Sequence, residues 1–440
     1  GTLPSALGNL KDLQILSLEY NQLQGTIPME VVHLKNLTEL RLNQNKLSGT
    51  ISTELGWQKK LQRIWLHSNQ FSGAIPSELG GLLELIDLRL DHNTLSGIIP
   101  SEIGDIAALQ QLWLSFNRLT GTIPSKFGGL TALTDLLLNG NAITGVIPSE
   151  LASISQLQYL WLDDNQLTGT IPNELGCLTE LIELTAQNNG LAGTISSWLC
   201  NLNYQVLWFN NNSLDGRLPS ELGCLYELVE LKLNDNNFSG KIPTELGNLT
   251  QLQYLWLNST LLTGTLPSDI GKLSELKGLK LQNNRLSGTI PSELGNLNSL
   301  QILHLNNNQF TGTIPYKLGG LLSLTDLFLN SNMISGIIPN DLGNIIQLQN
   351  LWLNDNFLIG SIPSELGKLN HLLSLNLSSN ALSGTVPMEL ATIFSATTEI
   401  YLYNNEGLEG DISFLCENGT HRNIYVNDSM KNVTCQCCVY

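Results

Sequence analysis

Hydrophobic and polar positions recur along this chain in one fixed order. Written as slots, the unit is L-x-x-L-x-L-x-x-N-x-L-x-G-x-I-P-x-x-L-G-x-L. Its asparagine slot falls at 21, 45, 69, 93, 117, 141, 165, 189, 212, 236, 260, 284, 308, 332, 356, 380 and 405, and only Thr260 departs from asparagine. A fixed period of this length signals stacked coils rather than globular domains. L-x-L predicts a short strand whose leucines point one way and whose middle residue points the other. One coil cannot bury its leucines alone, so successive coils should stack and place their strands in a parallel sheet about 4.8 Å apart. The asparagine sits where the strand ends and the chain turns inward. Its side-chain amide can donate to and accept from backbone groups otherwise buried and unpaired. The expected ladder starts with Asn21, Asn45, Asn69, Asn93, Asn117, Asn141, Asn165 and Asn189. All fifteen prolines share one phase, after Gly-x-Ile/Leu/Val, which marks a backbone position needing no amide donor. The P-S-E-L-G run that follows predicts a short helical turn, with Pro first, Glu in the first turn and Gly near the end. The glutamates of these turns stabilise helix ends and keep the outer side soluble.

Charge narrows the partners. The net charge is −17, so phosphate-rich nucleic acid and anionic lipid surfaces are poor matches. No phosphate loop or basic patch interrupts the repeats, and no apolar run is long enough to span a bilayer. Nine Asn-x-Ser/Thr sequons are present, at Asn36, Asn211, Asn237, Asn248, Asn258, Asn376, Asn418, Asn427 and Asn432. The last three stand beside four cysteines, a combination that points to an extracellular or cell-surface setting.

The seventeen copies, with their L-x-G-x-I-P signature, resemble the plant-type leucine-rich repeat. They are similar to the ectodomains of leucine-rich-repeat receptor-like kinases and to secreted polygalacturonase-inhibiting proteins. The resemblance implies an α/β solenoid: a right-handed superhelix with a concave, ligand-binding parallel sheet and short helical turns on the convex side. It divides the chain into a truncated first repeat over 1–12, seventeen repeats over 13–415, and a cysteine-rich C-terminal cap over 416–440. The C-x-C-C ending of that cap is closer to secreted algal leucine-rich-repeat proteins.

A second, doubled period lies on the first. The middle residue of L-x-L is Trp65, Trp113, Trp161, Trp208, Trp256 and Trp352 in odd-numbered repeats only. Two places before this slot, even repeats carry acids such as Glu39, Asp87, Asp135 and Glu183. The unit is therefore a pair of repeats, multiplied by duplication. The slot should face outward from the concave sheet, as an exposed row of aromatics. Its bland reading is inheritance from one ancestral tryptophan, or capping by neighbouring cations: Trp65 lies between Arg41 and Arg89, and Trp256 between Lys232 and Lys280. Its functional reading is a binding row. Sequons near the later copies, and none between Asn36 and Asn211, place the expected site on repeats two to eight. It centres on Trp65, Trp113 and Trp161, with Arg41, Arg89, Asp87, Asp135 and Tyr159 around them.

The remaining candidates are weaker. Cys177 and Cys224 are two coils apart, too far to bond directly, while Cys200 can bridge either one and leave the other free, the alternative being that all three are reduced. Cys416, Cys435, Cys437 and Cys438 are expected to form two disulfides closing the C-terminal end, with a zinc site as the alternative. His67, Asp91, His92 and Ser115 could cluster on neighbouring strands, but those slots are variable surface positions, and no catalytic role, metal or cofactor is expected. The chain reads as a non-catalytic extracellular recognition module for a protein, peptide or glycan. Two alternatives remain: a structural or adhesive surface protein capable of self-association, or an inhibitor of a secreted glycosidase.

Overall fold

The computed structural model describes residues 1–195, 204–393, 399–416, 423–427, 432–435 and 438. They fall into two compact units, Gly1–Asp215 and Gly216–Tyr440. In the first, nine three-residue strands pair in parallel, each displaced one coil from the last: Ile15–Ser17, Glu39–Arg41, Arg63–Trp65, Asp87–Arg89, Gln111–Trp113, Asp135–Leu137, Tyr159–Trp161, Glu183–Thr185 and Val206–Trp208. The second unit repeats this from Glu230–Lys232 to Asn423–Tyr425. The tail continues the ladders: Asn423–Tyr425 pairs with Glu399–Tyr401, and Asn432–Thr434 with Gly407–Asp411.

Each coil closes through a second short strand around the L-x-G segment, such as Lys46–Thr50 or Thr94–Ile98. A five-residue turn then completes it, such as Ser77–Gly81. These turns are 3-10 rather than α-helical, and in most of them proline stands one residue before the turn as the cap, with Ser52 in that place before Thr53–Trp57. Leu79 N–H donates to Pro76 O at 3.2 Å and Leu82 N–H to Leu79 O at 3.0 Å, so each turn closes through three-residue steps. Five residues are too few for an α-helical ladder, and packing on the next coil supplies the stability instead. That packing is tight. A Cβ on Gly56 would lie 2.3 Å from the carbonyl oxygen of Glu78 in the next turn, which is why this slot is glycine.

The core is the column of inward leucines. In the third coil Leu61, Ile64, Leu66 and Phe71 are fully buried, and the pattern repeats in the later coils among the described residues. At the 23-residue step, Tyr204 fills a leucine slot and is itself fully buried.

The outward face of the parallel sheet

Because the central residue of each strand is buried, its neighbours on either side point away from the core. Arg63–Trp65, Gln111–Trp113, Tyr159–Trp161, Val206–Trp208, Tyr254–Trp256 and Asn350–Trp352 share this pattern. The tryptophans therefore line one column across the strands of each unit. They are half-buried, not the exposed row that the sequence suggests. The cause is strand spacing: at about 4.8 Å, flat side chains on adjacent strands meet face to face and cover one another.

In the first unit the column is a stack of cations and indoles. Arg41 lies 4.6 Å from the centre of the Trp65 ring, Arg89 lies 4.8 Å from its other side, and Arg89 also stands 3.9 Å from Trp113. Carboxylates from the first strand position hold this stack. Glu39 pairs with Arg41 and with Arg63. Arg89 Nε donates to Asp87 Oδ1 at 2.9 Å, and Arg89 Nη2 to Gln111 Oε1 at 2.5 Å. Trp65 Nε1 donates to Asp87 Oδ2 at 2.8 Å, and Trp161 Nε1 to Glu183 Oε2 at 3.0 Å. Tryptophan in one coil and acid in the next thus form one recurring bond. The alternation of acids in even repeats was its signal in the sequence, although neither column alone identifies the pairing. Asp135 accepts instead from the Thr134 hydroxyl at 2.5 Å, and Trp113 Nε1 is buried with no partner. Tyr159 stands beside Asp135 and Glu183 in register. The structure thus joins Arg41, Trp65, Asp87, Arg89 and Trp113 into one network, with Asp135, Tyr159 and Trp161 on the strands that continue it; Val206–Trp208 closes the unit.

In the second unit Lys232 and Lys280 each lie 4.4 Å from the centre of the Trp256 ring, on either side. Further along, His304 stacks on Phe328 at 4.3 Å and Phe328 on Trp352 at 4.4 Å. Trp352 Nε1 donates to Ser374 Oγ at 2.9 Å. Burial, and secondarily the positive charge of Lys280, push the His304 pKa down to about 4, so the imidazole in the stack is neutral near pH 7.

The polar cluster of His67, Asp91, His92 and Ser115 is dispersed into separate contacts. His92 Nδ1 lies 2.9 Å from Asp91 Oδ2, Ser115 donates to Asn139 at 2.5 Å, and His67 Nδ1 is buried without a partner. No group of three metal-ligating side chains forms among the described residues. Cys177 is free and exposed, Cys224 is disulfide-bonded, and Cys435 pairs with Cys438. Cys200, Cys437 and the Cys416 side chain lie outside the described residues, as does Asn418. Of the sequon asparagines, Asn211, Asn237 and Asn248 are exposed, while Asn36, Asn258, Asn376 and Asn427 are half-buried. Asn432 opens the strand Asn432–Thr434.

Comparison with known proteins agrees with this architecture. The family model described as a leucine-rich repeat region matches residues 264–396, and a leucine rich repeat model matches 107–167. Single repeats match at 36–57, 60–82, 84–106, 227–249 and 251–273. No curated protein matches by sequence. Among solved structures, the plant peptide hormone receptor RGFR1, in complex with RGF2, superposes with a TM-score of 0.92 at 32% identity, over 100% of this chain and 74% of that one. The Arabidopsis receptor kinase HAESA, in complex with the peptide hormone IDA and the co-receptor SERK1, gives 0.81 at 31% identity, over 97% and 77%. A leucine-rich-repeat protein of Leptospira interrogans gives 0.69 at 33% identity, over 90% and 97%. With the repeat matched along both units and its solenoid shared with these structures, the chain belongs to the leucine-rich-repeat family.

Proposed function

We propose that this chain is an extracellular, non-catalytic recognition module that binds a protein or peptide across the outward face of its first unit. The observation that carries this reading is the cation-capped aromatic stack of Arg41, Trp65, Arg89 and Trp113. It is a rigid, amphipathic surface held in place by Glu39 and Asp87, and such preorganised aromatic and arginine anchors concentrate binding energy. The fold supports the reading, since RGFR1 and HAESA are both seen in complex with peptide hormones. Sequons and disulfide-bonded cysteines support the extracellular setting. The carboxylates Glu39 and Asp87 are occupied with holding Arg41, Arg63, Trp65 and Arg89, which suits binding rather than acid–base chemistry.

The test is to pan a displayed random-peptide library, and in parallel a glycan array, against the purified chain. Hits are then re-measured on folded Trp113→Ala and Trp352→Ala variants. Peptide hits that weaken at least about tenfold with Trp113→Ala and not with Trp352→Ala support the reading, a loss of the size expected for an anchor. The opposite ranking moves the site to the second unit, and glycan hits without peptide hits replace the ligand class.

A further inference from the structure

The strand Tyr159–Trp161 has a near copy in Tyr254–Trp256: both read Tyr-Leu-Trp. Their surroundings differ. Trp161 donates its indole N–H to Glu183, at the first strand position of the next coil, as Trp65 does to Asp87 and Trp352 to Ser374. After Trp256 that position is Gly278. Trp256 Nε1 is buried with no hydrogen-bond partner, like Trp113 Nε1, but here the facing position has no side chain that could supply one. A buried unpaired donor is costly, and native proteins retain few of them.

The charges have changed as well. The neighbours of Trp161 in its column are Leu137 and Thr185, whereas those of Trp256 are Lys232 and Lys280. Lys232 is matched by Glu230 at 2.7 Å. Lys280 has no acid within bonding distance among the described residues, and burial lowers its pKa. Asp326, the acid whose charge acts on Lys280, already accepts from Asn350 at 2.8 Å and Thr325 at 2.6 Å. The second copy has therefore lost a carboxylate while gaining an unmatched, half-buried ammonium beside an unpaired indole N–H.

We propose that a carboxylate of the bound ligand takes the place of the side chain missing at Gly278, accepting from Trp256 Nε1 and pairing with Lys280. The proposal rests on the recognition reading above but not on its placement in the first unit. The strand Tyr159–Trp161 shows that a tyrosine ring and a carboxylate fit together in this arrangement. In the second copy, Tyr254 leans over the gap, its Cδ1 3.0 Å from where a Cβ on Gly278 would stand. The ring must swing aside to admit the ligand. Gly278 does not have a left-handed backbone, so a side chain can be introduced there without backbone strain.

The experiment uses the full, deglycosylated chain carrying isotope-labelled tryptophan, with the Trp256 indole N–H resonance assigned by Trp256→Phe. Three tripeptides are titrated: acetyl-Gly-Glu-Gly-amide, acetyl-Gly-Gln-Gly with a free C-terminal carboxylate, and acetyl-Gly-Gln-Gly-amide. We expect at least one carboxylate peptide to move the Trp256 resonance and the neutral peptide to leave it in place. Which of the two does so identifies a side chain or a chain end as the source. Gly278→Glu should shift the resonance without peptide and weaken binding about tenfold or more, and Lys280→Met should weaken binding comparably. A Trp256 resonance untouched by both carboxylate peptides, or parent affinity in Gly278→Glu, overturns the site. Should Gly278→Glu not fold, Lys280→Met decides, and parent affinity there overturns it too. None of these outcomes bears on the Trp113→Ala comparison, so the two readings fail separately.

Discussion

At the scale of single residues, the asparagine slot does the most structural work. Asn93 accepts from the Phe71 amide at 2.9 Å and donates to the carbonyls of Leu66 and Leu90 at 3.0 Å, so one side chain joins two successive coils. The residue before each such slot is left-handed: sixteen non-glycine residues have φ between 52° and 59°, and Gly140 supplies the seventeenth case. That conformation costs roughly 1–2 kcal/mol for an L-residue, and the asparagine bonds that straddle it offset the cost. Thr260 is the exception. Its hydroxyl lies 2.5 Å from Asn284 Oδ1 and 3.1 Å from Leu257 O, with one proton to give to the pair, and the Phe238 amide has no asparagine oxygen opposite it. Thr260→Asn should therefore stabilise the chain by about 1 kcal/mol, and Asn93→Thr should destabilise it by about 1–3 kcal/mol. The readout is the urea midpoint of the deglycosylated chain, because Thr260→Asn also removes the sequon at Asn258. A Thr260→Asn variant no more stable than the parent would show that the ladder tolerates the shorter side chain at no cost.

At the scale of the strand, the charge state of His304 is set by its neighbours on adjacent strands. His304 is sandwiched between strands, with Lys280 on one side, the Phe328 ring stacked on the other, and Asp326 as the opposing charge. Its ordinary pKa is about 6.5, and in the fold it is depressed to about 4. As pH falls through that window, the unfolded chain takes up a proton that the folded chain refuses. Stability tied to this residue is therefore complete above about pH 6.5 and is lost progressively towards pH 4. Melting temperature followed across this range should fall less in His304→Phe than in the parent. Equal slopes would mean that the stack opens to let the imidazole charge. The strand, the place of the turn and the core slot were legible in the sequence, because period and face determine them, whereas the 3-10 form of the turn, with proline outside it, was not. The half-burial of the tryptophans was not, since it depends on spacing between coils, which no single repeat contains. The bonds from Trp65 to Asp87 and from Trp161 to Glu183 link residues 22 positions apart, and only the register between strands brings them together. Tyr204, whose hydroxyl is buried without a partner, replaces a leucine for no reason that the structure shows.

At the scale of the whole molecule, each coil touches chiefly its neighbours, so stability should behave as a sum of coil and interface contributions rather than as one global transition. Leu112 tests this. It is fully buried at the centre of Gln111–Trp113, directly beneath the column that carries Trp113. Leu112→Ala should cost about 2–5 kcal/mol where it occurs. Native-state hydrogen exchange should then quicken in the flanking strands Asp87–Arg89 and Asp135–Leu137, while Ile302–His304 keeps its protection. The consequence reaches function, because Arg89 stands on one flanking strand and Trp113 on the strand of Leu112 itself. A peptide held by this face should lose affinity in Leu112→Ala without any contact residue having changed, since part of its binding energy would go into re-ordering the coil. Uniform loss of protection along the chain would mean that the coils unfold as one cooperative body, in which case the binding face could not be softened locally and its affinity would follow global stability alone.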